Sequence, residues 1–341
     1  MQGPEQDTFC CCGGWRTTAA IILVLLLLLA GAGVTRAADT TAEGTFEKTL
    51  KVTGPVDLDV KTGSGSIHVR AGAASTVHVI GRIKARAEWS GGMSAEEKVR
   101  RLQSRPPIEQ NGNIIRIGQI EERELRQNVS ISYELVVPAE TLLRSHSGSG
   151  SQTIEGLHRA LEAGTGSGSL TISSIGGETR ASTGSGSIEL RGIKGAVRTN
   201  TGSGSIRASD VAGSFTGSTG SGDVELQQSA QGDVEIETGS GSIVASGVRG
   251  TLRARTGSGA IRADGEMTGD WRLHTSSGSI TVRLPANAAF DLAARTSSGG
   301  IHTAHPITVL GSIGRRELNG KVRGGGPLLD VSTSSGSIRI E

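Results

Sequence analysis

The chain has 341 residues, of which 52 are glycine, 8 are proline and 2% are aromatic. So few large side chains cannot fill a thick globular core, and the composition favours a thin, regular core of aliphatic residues. With 35 basic and 33 acidic residues, the net charge of +2 gives no indication of a nucleic-acid partner.

An apolar segment lies near the N-terminus. Arg16 is followed by an uncharged run over residues 17–35, and small residues follow at Ala37 and Ala38. This arrangement is typical of an export signal, so we predict a signal peptide over residues 1–38, cleaved after Ala37. Because a run of about 19 uncharged residues also approaches the length of a membrane span, an N-terminal anchor over residues 17–35 is the alternative. In both cases we expect export to the periplasm or the cell surface.

The three cysteines, Cys10, Cys11 and Cys12, all precede that apolar run. The exported part therefore has no thiol, which excludes disulfides, zinc–thiolate sites and cysteine nucleophiles there. We interpret the triple cysteine as part of a discarded leader, in preference to a lipidation or metal site.

A segment of different character follows an early motif at Thr62. Ser94 begins the sequence Ser-Ala-Glu-Glu, a capping box that predicts a short helix through about Gln103, where two prolines follow. The Asn-Gly pair at Asn111 lies between apolar residues and predicts a hairpin. We interpret residues 83–128 as a helix–hairpin insertion that covers an edge or caps the N-terminal end; a binding insertion is the alternative.

An internal repeat dominates the rest of the chain, and its motif is Thr-Gly-Ser-Gly-Ser-Ile with small variations. From Thr165 to Thr275 successive copies are 18 or 19 residues apart. So constant a period predicts a repeat architecture. The motif threonines are Thr62, Thr165, Thr183, Thr201, Thr219, Thr238, Thr256, Thr275, Thr296 and Thr333.

Side chains alternate with period two on both sides of each motif, which is the pattern of β-strands. Leu161 and Ala163 precede Thr165 in this way, and Leu170 and Ile172 follow it. The threonine and the isoleucine five residues later would point to opposite faces of a continuous strand, so Gly-Ser-Gly must form a corner. Glycine is needed there for positive φ or for close approach of the backbones. Each coil therefore has two short strands.

These features predict an all-β fold over residues 43–341, a single-stranded β-solenoid (β-helix) of about 18-residue coils with the small helix–hairpin insertion near its N-terminal end. Isoleucine ladders would fill its axis, and threonine and serine hydroxyls would form ladders along the stack. Ser147 begins a degenerate copy in which Gln152 replaces isoleucine, and its register stays open. Residues 302–332 form an irregular excursion before the last coil.

The leader, the early Thr62 motif, the helix–hairpin segment, the strand that ends at Pro138, the serial coils and the Leu318-Asn-Gly turn together resemble a bacterial family. It is the β-strand-repeat family catalogued as a domain of unknown function, number four thousand and ninety-seven, and described as "putative adhesins". The resemblance covers about residues 43–341. It implies an exported, non-enzymatic repeat domain and supplies no catalytic residues.

The glycine-rich strings do not form a nucleotide site, because the sixth residue of the string that begins at Gly184 is Glu189 instead of glycine and no helix pattern follows. Asp223 is the only acid within a motif, so serial calcium sites are not expected. His302 and His305 lie three residues apart, which on a strand places them on opposite faces, and we interpret them as a surface pair. We predict no catalytic, cofactor-binding or metal-binding residue.

Acidic residues alternate along one predicted strand at Asp233, Glu235 and Glu237. Together with Glu225 they could form an acidic patch for a cation or a basic glycan. Solvent-facing strand residues are the simpler interpretation.

Three functions stay open. The first, which we expect, is a non-enzymatic envelope protein, an adhesin or interaction scaffold that binds an envelope protein or a glycan along a long face. The second is a polysaccharide-active β-helix enzyme, which needs clustered charges, whereas the outward residues Glu189, Arg207, Glu225, Val244 and Arg262 alternate in charge. The third is an ordered hydroxyl face that binds ice or a crystalline polymer, which requires flat, exposed threonine and serine rows.

Overall fold

A computed structural model of the chain describes residues 41–87, 92–309 and 314–341. The predicted signal peptide or anchor over residues 1–38 lies outside these described residues. Residues Thr41 to Glu341 form one compact unit. Within the described ranges, no helix is both long enough and apolar enough to cross a bilayer.

The N-terminal part mixes strands with two helices. In chain order these elements are β1 (Thr41–Lys51), β2 (Val56–Thr62), β3 (Ile67–Gly72), β4 (Thr76–Arg86), α1 (Ala95–Ser104), β5 (Ile108–Asn111), β6 (Ile114–Ile117), α2 (Arg123–Arg126) and β7 (Val129–Pro138).

Short strands fill the repeat region and the C-terminal part. The repeat region holds β8 (Thr141–Ser147), β9 (Gln152–Glu155), β10 (Leu161–Thr165), β11 (Leu170–Ile175), β12 (Thr179–Thr183), β13 (Ile188–Ile193), β14 (Val197–Thr201), β15 (Ile206–Val211), β16 (Phe215–Thr219), β17 (Val224–Gln228), β18 (Val234–Ser240), β19 (Ile243–Arg249), β20 (Leu252–Ser258), β21 (Ile261–Glu266), β22 (Trp271–Ser277) and β23 (Ile280–Arg283). The C-terminal part holds β24 (Phe290–Ser298), β25 (Ile301–Thr303), β26 (Ile307–Val309), β27 (Glu317–Val322), β28 (Leu328–Ser335) and β29 (Ile338–Ile340).

These strands build two sheets. Sheet A has the order β1-β4-β7-β3-β9-β11-β13-β15-β17-β19-β21-β23-β29-β25, and sheet B has the order β26-β27-β24-β28-β22-β20-β18-β16-β14-β12-β10-β8-β2-β6-β5. Through the repeat region the chain enters the two sheets alternately, and each strand pairs in parallel with the equivalent strand of the next coil. The fold is therefore mostly β and solenoid-like, with one strand from each coil in each sheet.

Pairing between coils keeps the motif in register. Thr165, Thr183 and Thr201 face one another in sheet B, and Ile188 faces Ile206 in sheet A. A one-residue slip would turn every inward side chain to solvent, so the alternation of apolar and polar residues fixes this register.

The corner between the two strands of a coil is held by the motif threonine. The Thr183 hydroxyl donates to the carbonyl oxygen of Gly168 in the preceding coil at 2.9 Å, and it accepts from the Gly186 amide of its own coil at 3.1 Å. The predicted hydroxyl ladder thus runs along the stack, but it passes through glycine peptides instead of from one hydroxyl to the next. The same donation to a glycine carbonyl is made by Thr165, Thr201, Thr219, Thr238, Thr256, Thr275, Thr296 and Thr333.

Close approach of the backbones explains the glycines. A Cβ on Gly186 would overlap the carbonyl oxygen of Gly168, and one on Gly204 would overlap that of Gly186. Neither residue has a positive φ. Of the two reasons that the sequence offers for glycine at this corner, close approach is therefore the one that applies at these positions.

Inward rows of aliphatic side chains fill the space between the sheets. Where one coil carries the large Phe215, the same strand has Gly217, whose added Cβ would lie 2.7 Å from the phenyl ring. Gln152 takes the isoleucine position between Ile67 and Leu170 and is buried. Its amide donates to the carbonyl of Gly164 and accepts from a neighbouring serine, which settles the register of the degenerate coil.

The N-terminal end of the stack is built out of chain order. Strands β6 and β7 pair outside β2 and β3, whereas β8 and β9, which follow them in the chain, pair on the inner side. Antiparallel β4 and β1 lie beyond β7. The Ser94 hydroxyl accepts from the Glu97 amide at 3.2 Å at the start of α1. This helix contacts β1 and β4, and its Val99 and Leu102 are buried.

The C-terminal end of the stack is also built out of chain order. The last strands of the chain, β28 and β29, lie between β22 and β24 and between β23 and β25. Antiparallel β27 and β26 cover the outer side of β24. Residues 302–332, which the sequence presents as an irregular excursion, thus contain two antiparallel strands.

Aromatic rings cover the apolar core at both ends of the stack. Phe46 and Tyr133 meet edge to face at 6.4 Å at one end, where Gly81 between them leaves room for the Phe46 ring. Phe290 and His305 meet in the same way at 5.6 Å at the other end. A periodic core exposes an apolar cross-section wherever the period stops, and these rings cover it.

The first prediction concerns the repeat unit. Deletion of residues 183–200 removes one whole coil and should leave a folded, shorter domain, because Thr201 then takes the place of Thr183. Deletion of residues 183–191 removes half a coil and should unfold the domain. Circular dichroism and thermal unfolding distinguish these outcomes. Equal loss of structure in both variants would refute the coil assignment.

The second prediction concerns the corner hydroxyl. Thr201→Val keeps the side-chain volume but leaves the Gly186 carbonyl and the Gly204 amide without the hydroxyl, so it should lower the free energy of unfolding by about 1–3 kcal/mol. The matched control is Thr199→Val, on the same strand and equally buried, whose hydroxyl has only one long bond of 3.4 Å. Urea denaturation measures both, and equal losses would contradict the corner assignment.

Candidate interaction surfaces

Outward side chains of neighbouring coils form straight rows across each sheet, because the coils are in register. On sheet B one such row crosses eight strands, about 4.8 Å apart. It contains Arg144, Glu162, Arg180, Arg198, Thr216, Glu235, Arg253 and Arg272.

Acids and bases on this face pair with one another. Arg253 lies 3.7 Å from Glu235, and Arg272 lies 3.5 Å from Asp270. These side chains are about half exposed, so each pair contributes at most about 1 kcal/mol to stability. Their effect is on the electrostatic pattern of the surface rather than on folding.

The acidic residues Asp233, Glu235 and Glu237 all belong to the outer face of sheet B. Glu225 does not join them, because it points outward from β17 in sheet A, on the other side of the molecule. The alternative of a patch that includes Glu225 is therefore wrong, and these acids are the solvent-facing strand residues of the simpler interpretation. The sequence shows which residues of one strand point the same way, as Asp233, Glu235 and Glu237 do. It does not show that a corner separates their strand from that of Glu225, which places Glu225 on the opposite face.

Asp233 has a defined environment at the edge of that face. It accepts from the Thr251 hydroxyl at 2.7 Å and from the Thr251 amide at 3.2 Å. These hydrogen bonds hold the pKa of Asp233 below its ordinary value. The carboxylate is thus kept ionised.

Two cavities lie on the outer face of sheet B across β16, β18, β20 and β22. The first, of about 410 Å³, is lined by Glu235, Arg253 and Arg272 among others, and the second, of about 580 Å³, by Glu237, Arg255, His274 and others. We call this region the sheet B groove. It joins the acids of β18 to the bases of β20 and β22.

The sequence reasoning missed the basic half of the sheet B groove. Arg253 and Arg255 stand two residues apart just before Thr256, at outward positions of the period-two pattern. Aligning the outward positions of successive coils places both beside Glu235 and Glu237. The pattern within a single coil does not show this, whereas a comparison between coils does.

Sheet A carries a second outward row. Glu189, Arg207, Glu225, Val244 and Arg262 lie side by side on five successive strands, as the period predicts. Arg207 and Glu225 approach to 3.8 Å. The alternation of charge that the sequence suggests is therefore present in space.

A further groove of about 350 Å³ crosses β3, β4, β7 and β9 on the outer face of sheet A. His68, His78, Arg70 and Glu134 are among its polar residues, and Ile80 adds an apolar side chain. Its residues come from strands that are far apart in the sequence. No single stretch of the chain carries the pattern.

The motif threonines are not surface residues. All of them are buried except Thr62, which is half-buried at the N-terminal end of the stack. Exposed hydroxyls at the corners belong to serines such as Ser185 and Ser203. The flat threonine row that an ice-binding or polymer-binding face requires is therefore not formed.

The interpretation of His302 and His305 as a surface pair is wrong for one of them. His302 is exposed, but His305 is buried against Phe290. The chain turns between them after β25, so the parity of a continuous strand does not apply. Throughout the described ranges, no group of three or more His, Cys, Asp or Glu side chains could hold a metal ion.

Comparison with known proteins gives one match by family. The sequence profile of the Toastrack family, DUF4097, matches residues 47–341. No curated protein matches the sequence.

Several solved structures are similar to the chain. One is described as a "putative lipid binding protein" from Parabacteroides distasonis, with 13% identity, coverage of 87% of this chain and 97% of that one, and a TM-score of 0.36. Another is described as a "putative adhesin" from Bacteroides fragilis, with 12% identity, the same two coverages and a TM-score of 0.32. A third, a "putative cell adhesion protein" from Clostridium sporogenes, has 10% identity, coverages of 87% and 99%, and a TM-score of 0.18.

The third prediction concerns Asp233. Thr251→Val removes the hydroxyl donor, so the pKa of Asp233 should rise toward its ordinary value. Because its folded-state pKa is lowered, Asp233 adds stability above its unfolded-state pKa and loses this contribution as the pH falls through the folded-state value. A carboxyl NMR titration measures the shift. Thr281→Val on sheet A is the control and should leave Asp233 unchanged; an unchanged pKa in Thr251→Val would contradict the assignment.

Proposed function

The chain belongs to the Toastrack DUF4097 family over residues 47–341, and from this premise and its surface we propose that it is an exported, non-enzymatic envelope protein that acts as an adhesin or interaction scaffold. One observation carries the proposal. The outward charged residues of the sheet B groove are held in register on strands whose inner faces are fully used for packing.

A rigid array of this kind favours binding. Side chains on paired strands have fixed origins about 4.8 Å apart, so a partner does not have to order the backbone when it docks. Arg253 and Arg255 of β20 present donors, and Glu235 and Glu237 of the neighbouring strand β18 present acceptors. Mixed donors and acceptors suit a polar partner, and we propose a glycan or an envelope protein.

The charges of the sheet B groove favour binding over catalysis. Hydrolysis of a polysaccharide by a pair of carboxyl groups needs one of them to be held protonated, with a raised pKa. Here the pKa of Asp233 is lowered, and Glu235 lies beside Arg253. We therefore propose that the protein has no enzyme activity.

Export is the remaining part of the proposal. It is supported by the apolar run over residues 17–35 and the small residues that follow. Cleavage would release the repeat domain to the periplasm or the cell surface. An uncleaved segment would attach it to the inner membrane.

The fourth prediction tests the proposed binding surface. The protein from Thr41 to Glu341, immobilised, is screened against cell-wall glycans, host glycans and envelope proteins by biolayer interferometry. For the partner found, a variant with Arg253→Glu and Arg255→Glu should bind at least about tenfold more weakly, because both charges that face the partner are reversed. A variant with Arg207→Glu and Arg262→Glu on sheet A makes the same charge change and should bind within about threefold of the wild type.

Three results would count against the proposal. Equal loss in both variants would mean that net charge, not the sheet B groove, controls binding. A screen without any partner would contradict the scaffold function. Turnover of a polysaccharide by the wild type would favour the enzyme alternative.

A further inference from the structure

The stack has a defect at its N-terminal end. In the repeat region the corner glycines of each coil pack on the glycine carbonyls of the preceding coil, as Gly168 does on Gly150. The outermost coil, formed by β6 and β7, has no such motif, and the chain crosses from one strand to the other through a longer segment over residues 118–128 that contains α2. Thr62 donates instead to the carbonyl of Ile131, at 2.7 Å.

A cavity of about 200 Å³ lies beside this corner, next to Gly63, where an added Cβ would have no neighbour within 4 Å. Ile120, Val129 and Ile131 give it apolar walls, and Lys61 and Arg126 are its two cationic residues. None of the described residues that line it is acidic. Lys61 is paired with Asp59 at 3.0 Å, so Arg126 is the cation better placed to receive an anion.

Tyr133 also lines this cavity and carries a buried hydroxyl without a partner. The side chain is fully buried, its ring packs on Phe46, and Oη has no hydrogen bond within the described part of the chain. Burial raises the pKa of Tyr133, so the group stays a donor at every physiological pH. A buried donor without an acceptor destabilises the protein that contains it.

Gly118 connects the hydroxyl with the cavity. It lines the cavity, and a Cβ built on it would come within 3.3 Å of Tyr133 Oη. The same Cβ would overlap the carbonyl oxygen of Lys61, so the backbones of Gly118 and Lys61 separate the cavity from the hydroxyl, and a ligand must displace them slightly to reach it.

We propose that this cavity binds a small organic anion with an apolar body, whose acid group pairs with Arg126 and whose far end offers a hydrogen-bond acceptor to Tyr133. The size fits, because a cavity of about 150 Å³ holds benzene in another protein. A ring with a carboxylate and one further polar group therefore fills a cavity of this volume. The site is separate from the sheet B groove, and it stands or falls independently of the proposed scaffold function.

Two probes test the proposal, benzoate and 4-hydroxybenzoate. They share the ring and the carboxylate, and only the second has an acceptor opposite the acid group. Isothermal titration of the protein from Thr41 to Glu341 should show binding of both, with 4-hydroxybenzoate roughly 3- to 10-fold tighter, the value of one hydrogen bond. Bound probe should also raise the unfolding temperature.

Three variants separate the contributions. Tyr133→Phe should abolish the preference for 4-hydroxybenzoate without lowering the unfolding temperature of the free protein, because it removes a donor that has no partner. Arg126→Gln should weaken both probes roughly 2- to 5-fold, as expected for an exposed pair. Arg198→Gln on sheet B removes an equal charge far from the cavity and should change neither.

Two results would overturn the proposal. If neither probe binds the wild type at millimolar concentration, the cavity takes no anion of this class, and water alone serves the hydroxyl. If Tyr133→Phe retains the preference for 4-hydroxybenzoate, the acceptor does not lie at Tyr133.

Discussion

The rest of the structure depends on the hydroxyl of the motif threonine, which joins two coils at a corner. It donates to a glycine carbonyl of one coil and accepts from a glycine amide of its own, as Thr183 does between Gly168 and Gly186. This bridge holds backbones so close that a side chain on either glycine would overlap its neighbour. Threonine, glycine and corner therefore recur together, once in each coil of the repeat region.

A periodic core exposes an apolar surface where the repeats stop, and the chain covers both of these surfaces with the same arrangement of strands. At each end it builds an outer coil and antiparallel strands, then returns to fill a position closer to the middle. Three of the large aromatic side chains, Phe46, Tyr133 and Phe290, are placed at these ends. Because the motif is missing from the outermost N-terminal coil, that end carries both the cavity and the Tyr133 hydroxyl, which has no hydrogen-bond partner among the described residues.

The repeating part of the fold could be predicted from the sequence, because each coil packs between two coils like itself. The alternation of apolar and polar residues along each strand then determines which side chains are buried. Features that depend on contacts between distant segments could not. Gln152 occupies a core position because Ser145 and the Gly164 carbonyl satisfy it. Glu225 lies opposite the other acids because a corner intervenes, and the spatial order of the end coils has no signature in any local pattern.

Amide hydrogen exchange, measured residue by residue by NMR, tests the central role of the corner most directly. The amides of Gly168, Gly186 and Gly204 donate to motif threonines, so we expect them to exchange as slowly as the core amides of β12 and β14, through global unfolding alone. The exposed turn glycine Gly112 provides the fast reference. Exchange of the three corner amides at the rate of Gly112 would contradict this account.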